Sequence, residues 1–321
     1  MILILSTPRD TDTQIVVENL QSRNADFFRL NDEDIMSGLV TLNLAPNDLD
    51  KSYLVRDNKK IYFSDVKVVW MRKFGFFKTY EDFFGKKDDL TRYIYSEFSV
   101  IRNLIFKLLE EKKWLFKRSN MLTKIEILKH ASDIGLKTPN SLITSSLKQL
   151  DFFFKENNNL IISKSIGEGK HIEFNNKNYP FFTQIIKSLD GLPDSFSPSL
   201  FQEYINKKYE LRTFFLDDKL YTMVIFSQNN EKTKIDFRNY DIDKPNRVGR
   251  YQLPLVIEEK IIKLMNKMGL NTGSIDIIKS VNNEYYFLEV NPSGQFGMTS
   301  IPCNFNLHQK VSNYLIDNNE K

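Results

Sequence analysis

Two apolar stretches near the C-terminus, GSIDII (273–278) and FLEVN (287–291), carry acids in the middle of what otherwise read as buried strands. The Asn282-Asn283 pair between them reads as the turn that joins the strands. Glu289 and Asn291 are two apart on one strand and face the same side. Asp276, on the other strand, can face them. Like-charged carboxylates set together on a strand pair cost stability unless a cation holds them. A solvated hairpin with two ordinary acids would carry the same residue types. Pro292, Ser293 and Gly294, however, turn the chain sharply just after Asn291, which favours a built site. Two carboxylates and an amide oxygen are hard ligands. They suit magnesium with phosphate, since that ion takes few protein oxygens and completes its shell from substrate.

The rest of the chain reads as alternating α and β. Residues 1–6 form a buried strand, Thr11 to Ser22 a helix with Asp10 as cap, and Ala25 to Leu30 a second strand; this predicts a parallel sheet. Short strands follow between Val40 and Phe63, broken at Pro46 and Asp57-Asn58, then a strand from Val66 to Met71. Glu81 to Lys113 reads as one long helical stretch and Trp114 to Arg118 as a crossover. Met121 to Gly135 is an amphipathic helix with Ile125, Leu128 and Ile134 on one side. Strands at 142–144 and 160–165 flank a helix near 147–156. Three strands lie within 199–227, a helix runs from Pro254 to Met268, and a last helix covers about 306–318. The expected organisation is an N-terminal α/β domain (1–115), a central domain (116–195) and a C-terminal domain (196–321).

Three other pieces carry chemistry. Lys164 ends a strand and leads into Ser165, Ile166, Gly167, Glu168 and Gly169, so its ammonium and the loop amides can meet phosphate oxygens. A plain turn after a surface lysine explains the same residues. Gln202-Glu203-Tyr204-Ile205, with Glu210 seven residues after Glu203, offers a backbone that can read an adenine edge and a carboxylate for ribose hydroxyls. Arg212, Arg238 and Asn239 lie beside apolar stretches, and each arginine can clamp a carboxylate or phosphate or sit in a surface ion pair. The three histidines, His130, His171 and His308, read as surface or capping residues, with His171 just past the glycine loop.

Composition excludes several classes. The 321 residues are 41% hydrophobic and 27% charged, which rules out a disordered chain. A net charge of +4 is nearly balanced and gives no ground for a nucleic-acid partner. A single cysteine, Cys303, excludes a disulfide framework and a cysteine-built metal site, and reads as a small buried side chain. No 18-residue apolar run exists, so no membrane span is expected, and a cytoplasmic location is the default. Aromatic pairs in the first 115 residues, Phe27-Phe28, Phe76-Phe77 and Phe83-Phe84, suit a core or an apolar peptide groove.

The order of these pieces resembles the ATP-grasp superfamily of carboxylate–amine ligases: Lys124 in a helix, Lys164 before a glycine loop, FQEYI, ELR, DFRN, then GSIDII and FLEVNPSG. KKYELRTFF, VIFSQ, IDFR and FLEVNPSGQF look closer still to the microviridin-type, peptide-cyclising ligases (graspetide ligases). The ending GQFGMTSIPCNFNLHQKV is similar to the branch called grasp-with-spasm peptide maturases. The resemblance implies an ATP-grasp fold behind an N-terminal α/β domain, with nucleotide bound between the central and C-terminal domains. It implies ATP-dependent macrocyclisation of a ribosomally made precursor, whose Asp or Glu side chains are phosphorylated and joined to Ser or Thr hydroxyls or Lys amines.

The same resemblance assigns Lys124 and Lys164 to ATP phosphates, and Glu203, Tyr204 and Ile205 to the adenine hinge. It assigns Glu210 to ribose, and Arg212 and Arg238 to the transferred phosphoryl group and acceptor carboxylate. Asp276, Glu289 and Asn291 become Mg2+ ligands. The implied partners are a precursor with a leader segment, a second copy in a homodimer, and a SPASM-type protein. The competing readings are an ATP-grasp ligase adding an amino acid to a protein tail or small acid, and a non-catalytic nucleotide-binding scaffold.

Overall fold

The computed structural model describes residues 1–75, 89–117, 122–167, 171–174, 177–180 and 182–320. These fall into two units. The first comprises Met1–Asn120, Gln295–Ser300 and Asn306–Lys321, the second Met121–Gly294 and Ile301–Phe305.

In the first unit β1 (Ile2–Ser6), α1 (Thr11–Gln21) and β2 (Phe27–Asn31) make the expected parallel strand–helix–strand start. After α2 (Asp32–Met36) comes an antiparallel meander of β3 (Thr41–Asn43), β4 (Tyr53–Arg56) and β5 (Lys59–Tyr62). Its tight turn is Asp57-Asn58, both in the left-handed region at φ 51° and 63°, as a two-residue hairpin loop requires. β6 (Val68–Met71), α3 (Asp89–Leu108) and β7 (Lys113–Leu115) complete a parallel sheet in the order β2-β1-β6-β7. β1 and β6 are buried along their whole length, which is why they read as continuous apolar runs.

Two expectations are corrected here. The long helix ends at Leu108 rather than Lys113, and its first part, 81–88, lies outside the described residues. The stretch read as a crossover begins instead with an edge strand, because Trp114 and Leu115 bury against β6 and the Trp114 indole N–H donates to the Leu109 carbonyl at 2.9 Å. Of the aromatic pairs, Phe28 is buried and Phe27 half-buried in β2. Phe76, Phe77, Phe83 and Phe84 lie outside the described residues.

The second unit opens with α4 (Lys124–Asp133). Thr123 and Glu126 form its capping box, and Gly135, at φ 83°, ends it. It buries Ile127, Leu128 and Ala131, with Ile125 and Ile134 only half covered. Next come β8 (Ser141–Ser146), α5 (Leu147–Glu156), β9 (Ile161–Lys164), a hairpin of β10 (His171–Phe174) and β11 (Lys177–Pro180), β12 (Gln184–Ile186) and β13 (Ser195–Glu203). A four-stranded sheet results, in the order β12-β9-β13-β8. α5 covers one face of it through Leu150 and Phe154 against Ile161 and Phe201, which leaves Ile162, Lys164 and Gln202 on the other.

Beyond the 204–206 connection run β14 (Lys207–Leu216), β15 (Lys219–Phe226), β16 (Arg247–Tyr251), α6 (Leu255–Lys267), β17 (Thr272–Ser280) and β18 (Tyr285–Asn291). The five strands form an antiparallel sheet in the order β16-β15-β14-β17-β18. α7 (Gly297–Ser300) and α8 (Leu307–Glu320) return the chain to the first unit.

There Asp12, near the start of α1, ties the C-terminal segment down. It accepts the Phe296 amide at 2.9 Å and meets His308 Nε2 at 2.8 Å. His308 is thus a buried partner, not a surface or capping residue, and Cys303 is buried as expected. Asp10 occupies the cap position but does not cap α1. Its carboxylate takes the Thr13 hydroxyl at 2.5 Å and Arg72 Nε at 2.9 Å, with Lys73 at 3.2 Å. Burial pushes the Asp10 carboxyl up, but Arg72 and Thr13 more than reverse this and hold it at about 2. A depressed carboxyl stabilises the fold fully above its unfolded value and loses that contribution as pH falls through the folded one. Arg72→Ala should cost about 3–5 kcal/mol in urea unfolding, since it strips a buried carboxylate of its main cation. Acid titration of thermal stability should show a loss between about pH 4 and pH 2 that is shallower in Asp10→Asn.

Candidate active site

One cavity in the second unit lies between the open face of the four-stranded sheet and the five-stranded sheet. Its shape is set by two irregularities of register. From the hairpin turn, β17 and β18 pair as Lys279 with Tyr285, Ile278 with Tyr286 and Ile277 with Phe287. Continued regularly, Leu288 would face Asp276, and Glu289 would point to the opposite side of the sheet. Leu288 is instead an extra residue, so Glu289 stands directly across from Asp276 and Asn291 across from Ser274. The second irregularity, at Lys208 on β14, sets Arg212 across from Asp276. It also brings Lys207 and Glu210, three residues apart, onto one face. Arg212, Asp276 and Glu289 therefore form a row across three strands.

The charges in this row are paired. Arg212 Nη1 donates to both Asp276 oxygens, at 2.8 and 2.9 Å, and Lys124 Nζ lies 2.9 Å from Glu289 Oε2. Burial, with Glu289 beside it, holds the Asp276 carboxyl above its ordinary range against the pull of Arg212. Burial would raise Glu289 too, but Lys124 and Lys164 outweigh it and the carboxyl lies low. Lys164, at the end of β9, is lowered by burial, with Glu289 opposing. The Nε of Arg212 is buried with no acceptor among the described residues, a donor left over for an anion.

The expected site residues largely converge. Lys124, Lys164 and Glu203 line this cavity, as do Tyr204, Ile205 and Glu210. Arg238, Asp276 and Glu289 line it as well. Arg212 joins through Asp276. Asn291 sits at the exposed end of β18, where its Oδ1 accepts the Ser293 amide at 3.1 Å. The turn behind it needs Gly294: a Cβ there would come within 2.7 Å of the Ser274 side chain. Of the glycine loop, Gly167 is described, with the Ser165 hydroxyl donating to its carbonyl at 3.2 Å. Glu168 and Gly169 lie outside the described residues, as does the side chain of His171.

Several details differ from the residue-type reading. The Glu203 carboxylate accepts the Asn140 amide at 2.9 Å, and the Glu203 backbone amide donates to the Asn140 carbonyl at 3.0 Å, which ties the end of β13 to the start of β8. Burial raises the Glu210 carboxyl to about 7, with the ammonium of Lys207 beside it opposing and the Ser227 hydroxyl at 3.3 Å. Arg238 is held in a two-pronged pair by Asp236, Nε to Oδ1 at 2.8 Å and Nη2 to Oδ2 at 2.6 Å. Asn239 faces away, donating to the Lys232 carbonyl at 3.0 Å. Lys207, Asp236 and Gln202 were not singled out individually by sequence. Asp236 stands two residues before Arg238, a spacing that could have flagged it, whereas Lys207 meets Glu210 only through the bulge.

Fold and cavity together define a nucleotide-dependent ligase architecture. The chain belongs to the RimK-like ATP-grasp domain family, whose model matches residues 117–315, and the MvdD pre-ATP grasp domain matches residues 1–121. It has the ATP-grasp ligase fold. Solved structures align along nearly its whole length, the following three among them. The macrocyclase MdnC of Microcystis aeruginosa MRC, bound with precursor peptide MdnA, is 23% identical at a TM-score of 0.80, covering 99% of this chain and 100% of that one. A RiPP-associated ATP-grasp ligase of Chryseobacterium gregarium, in complex with ADP and a leader and core peptide, is 25% identical at 0.80, covering 98% and 95%. The ATP-grasp ligase PsnB, with a phosphomimetic variant of its minimal precursor, Mg and ADP, is 19% identical at 0.81, covering 99% and 98%. No curated protein matches the chain. Among the described residues no helix is long and apolar enough to cross a membrane.

The row of charges makes a prediction independent of catalysis. Asp276→Leu should cost about 3 kcal/mol in urea unfolding because it leaves a largely buried guanidinium unpaired. The double variant Arg212→Met/Asp276→Leu should lose at least about 1 kcal/mol less than the sum of the single losses.

Proposed function

We propose that this protein closes rings in a ribosomally made precursor peptide at the expense of ATP. The observation that carries the reading is the two-way, end-to-end likeness to a ligase solved with ADP, leader and core peptide, pre-ATP-grasp segment included. The cavity suits the chemistry. The γ-phosphoryl group of ATP passes to a side-chain carboxylate of the precursor, giving an acyl phosphate and ADP. A hydroxyl or amine of the same peptide then attacks the acyl carbon, loses its proton, and expels phosphate to leave an ester or amide.

Such phosphoryl transfer depends on positioning and on neutralising charge rather than on a protein nucleophile. In this reading Lys124 and Lys164 hold phosphates, and the 203–205 backbone takes the adenine edge. Glu210 takes ribose, while Arg212 and Arg238 orient the carboxylate and the phosphoryl group. The unpaired Nε–H of Arg212 and the ammonium groups around Glu289 fit an anionic guest. Asp276, Glu289 and Asn291 would hold Mg2+. Two carboxylates opposed across a strand pair, each now drawing a cation, are the donor set that ion prefers. When bound, the ion would neutralise the phosphates.

The reading further takes in a leader-bearing precursor, a homodimer, a SPASM-type partner and a cytoplasmic setting. The three-part division at 115 and 195 belongs to it as well. A ligase adding an amino acid to a protein tail would share the RimK-like domain. The pre-ATP-grasp match over 1–121 favours the peptide-cyclising reading instead.

The test is incubation with ATP, Mg2+ and a Thr-, Asp-, Glu- or Lys-rich precursor, followed by mass spectrometry. Each ring should remove the mass of one water and release one phosphate; no mass loss with any precursor encoded beside this chain would end the proposal. Asn291→Ala should lower turnover by about two orders of magnitude in a folded protein. A leaderless core should be a poor substrate at about micromolar concentration, because one site closing several rings must draw affinity from elsewhere. Equal rates with and without leader at sub-saturating substrate would show that the core alone is recognised.

A further inference from the structure

β16 is an edge of the five-stranded sheet: β15 pairs along one side of it, and among the described residues nothing pairs along the other. Such an edge offers a row of backbone N–H and C=O groups to any extended chain. The strand holds no proline and no bulge, and its guard is charge. Exposed Arg247 and Arg250, with Lys244 just before the strand, repel a second copy of the same edge. The same charges invite an acidic strand, because opposite charges across a strand pair attract. None of the three has a carboxylate partner among the described residues. Arg250 donates to the Cys303 and Asn304 carbonyls, at 2.5 and 2.7 Å, and Arg247 lies over the Phe226 ring at 5.9 Å. By contrast Lys124, Arg212 and Arg238 at the active cavity each hold an acid. Lys244, Arg247 and Phe226 line a cleft of about 480 Å³. The acids of that cleft are taken up within the protein. Asp241 accepts Asn230 Nδ2 at 2.9 Å and the amides of Asp243 and Lys244 at 3.2 Å, and Glu231 pairs with Lys234. Gly249 is a second sign. Its φ lies outside the left-handed region, and a Cβ there would meet nothing nearer than Val224 Cγ1 at 3.9 Å, so the chain's own packing does not call for glycine. A glycine inside a strand weakens it and often marks a place where another backbone comes close.

We infer that β16 takes an extended acidic peptide as a sixth strand of this sheet, its carboxylates beside Lys244 and Arg247. That the strand is an Asp- or Glu-bearing stretch of the precursor rests on the proposed function. Arg250 stands across from Met223 and Met223 across from Arg212, so the added strand continues the sheet that carries Arg212, Asp276 and Glu289. Three strand spacings, about 14 Å, separate it from Arg212, a gap that about five extended residues cross. Docking at the edge keeps the adjoining residues at high local concentration near the cavity.

The probes are the peptide Thr-Glu-Val-Glu-Val-Glu-Thr and its lysine counterpart, Thr-Lys-Val-Lys-Val-Lys-Thr, followed by fluorescence anisotropy on the full chain without nucleotide. The glutamate peptide should bind at least about tenfold tighter than the lysine one. It should weaken severalfold at about 0.5 M salt and slow hydrogen exchange of the 247–251 amides. Lys244→Glu/Arg247→Glu alters two exposed residues outside the lining of the active cavity, and should reverse the preference between the peptides. Alternate residues of a strand point their N–H groups to opposite edges. N-methylation of the three glutamates and of the two valines should therefore differ: one set abolishes binding, and the other leaves it within about threefold. Should the double variant fail to fold, the methylated pair decides alone. No binding of the glutamate peptide, equal tolerance of both methylated sets, or binding without protection of 247–251 would overturn the inference. So would an oligothymidylate that binds where the peptide does not, which assigns the cations to nucleic acid, or a dimer that the double variant loses without any peptide bound, which assigns the edge to a second copy. Binding is read without ATP or turnover, so failure here leaves ring closure standing. Absence of ring closure with binding intact overturns the proposed function and, with it, the precursor as occupant.

Discussion

Two carboxylates held opposite each other inside a sheet are the constraint on which the second unit depends. Asp276 and Glu289 face one another on β17 and β18, and neither is freely solvated. Such a pair is tolerable only if positive charge is supplied at once. Arg212 arrives from β14 and Lys124 from the first turn of α4, so an element on each side is tied to the acids. The helix packs on β18 for the same reason that it is amphipathic. Its buried side, Ile127, Leu128 and Ala131, supplies the apolar contact and leaves Lys124 free to reach the acid.

The same economy recurs around the cavity. Glu210 has Lys207, Asp236 has Arg238, and Glu203 has the Asn140 amide. Each of these anions is paired within the protein. Under the proposed function, incoming phosphates would compete with the protein's own carboxylates for these cations. Fixed groups of this kind need little reorganisation at the moment of reaction.

The first unit is built on the opposite principle. The central strands β1 and β6 of its parallel sheet are buried, largely apolar runs, and Asp10, Asp12 and Arg72 cluster beyond the ends of those strands. Asp12 also receives the Phe296 amide and His308, which fastens the C-terminal segment to the start of α1. The unit's stability therefore depends on residues almost three hundred positions apart.

Much of this was legible in one dimension. The run of strands and helices follows from local apolar periodicity and turn residues, because backbone geometry imposes those periods on the sequence. The acids of GSIDII and FLEVN stand out as charge within apolar strands, whereas the lysine at the end of β9 and the QEYI connection are weak signals alone and gain weight only from their order along the chain. Where one register decides which face a side chain takes, sequence ran out. A two-residue turn at Asn282-Asn283, counted regularly, puts Glu289 across from Asp276, but the strands close on the longer loop between Ser280 and Glu284, and that register carried on would put Leu288 there. The bulge that corrects this has no signature of its own, since an extra leucine in an apolar strand looks like any other. Trp114 likewise reads as a connection until β6 is there to pair with it, and Lys207 finds Glu210 only through the irregularity at Lys208. Residue type fixed which charges the protein would have to accommodate. Tertiary pairing decided which of them meet, because a shift of one residue in an antiparallel pair moves a side chain from one face of the sheet to the other.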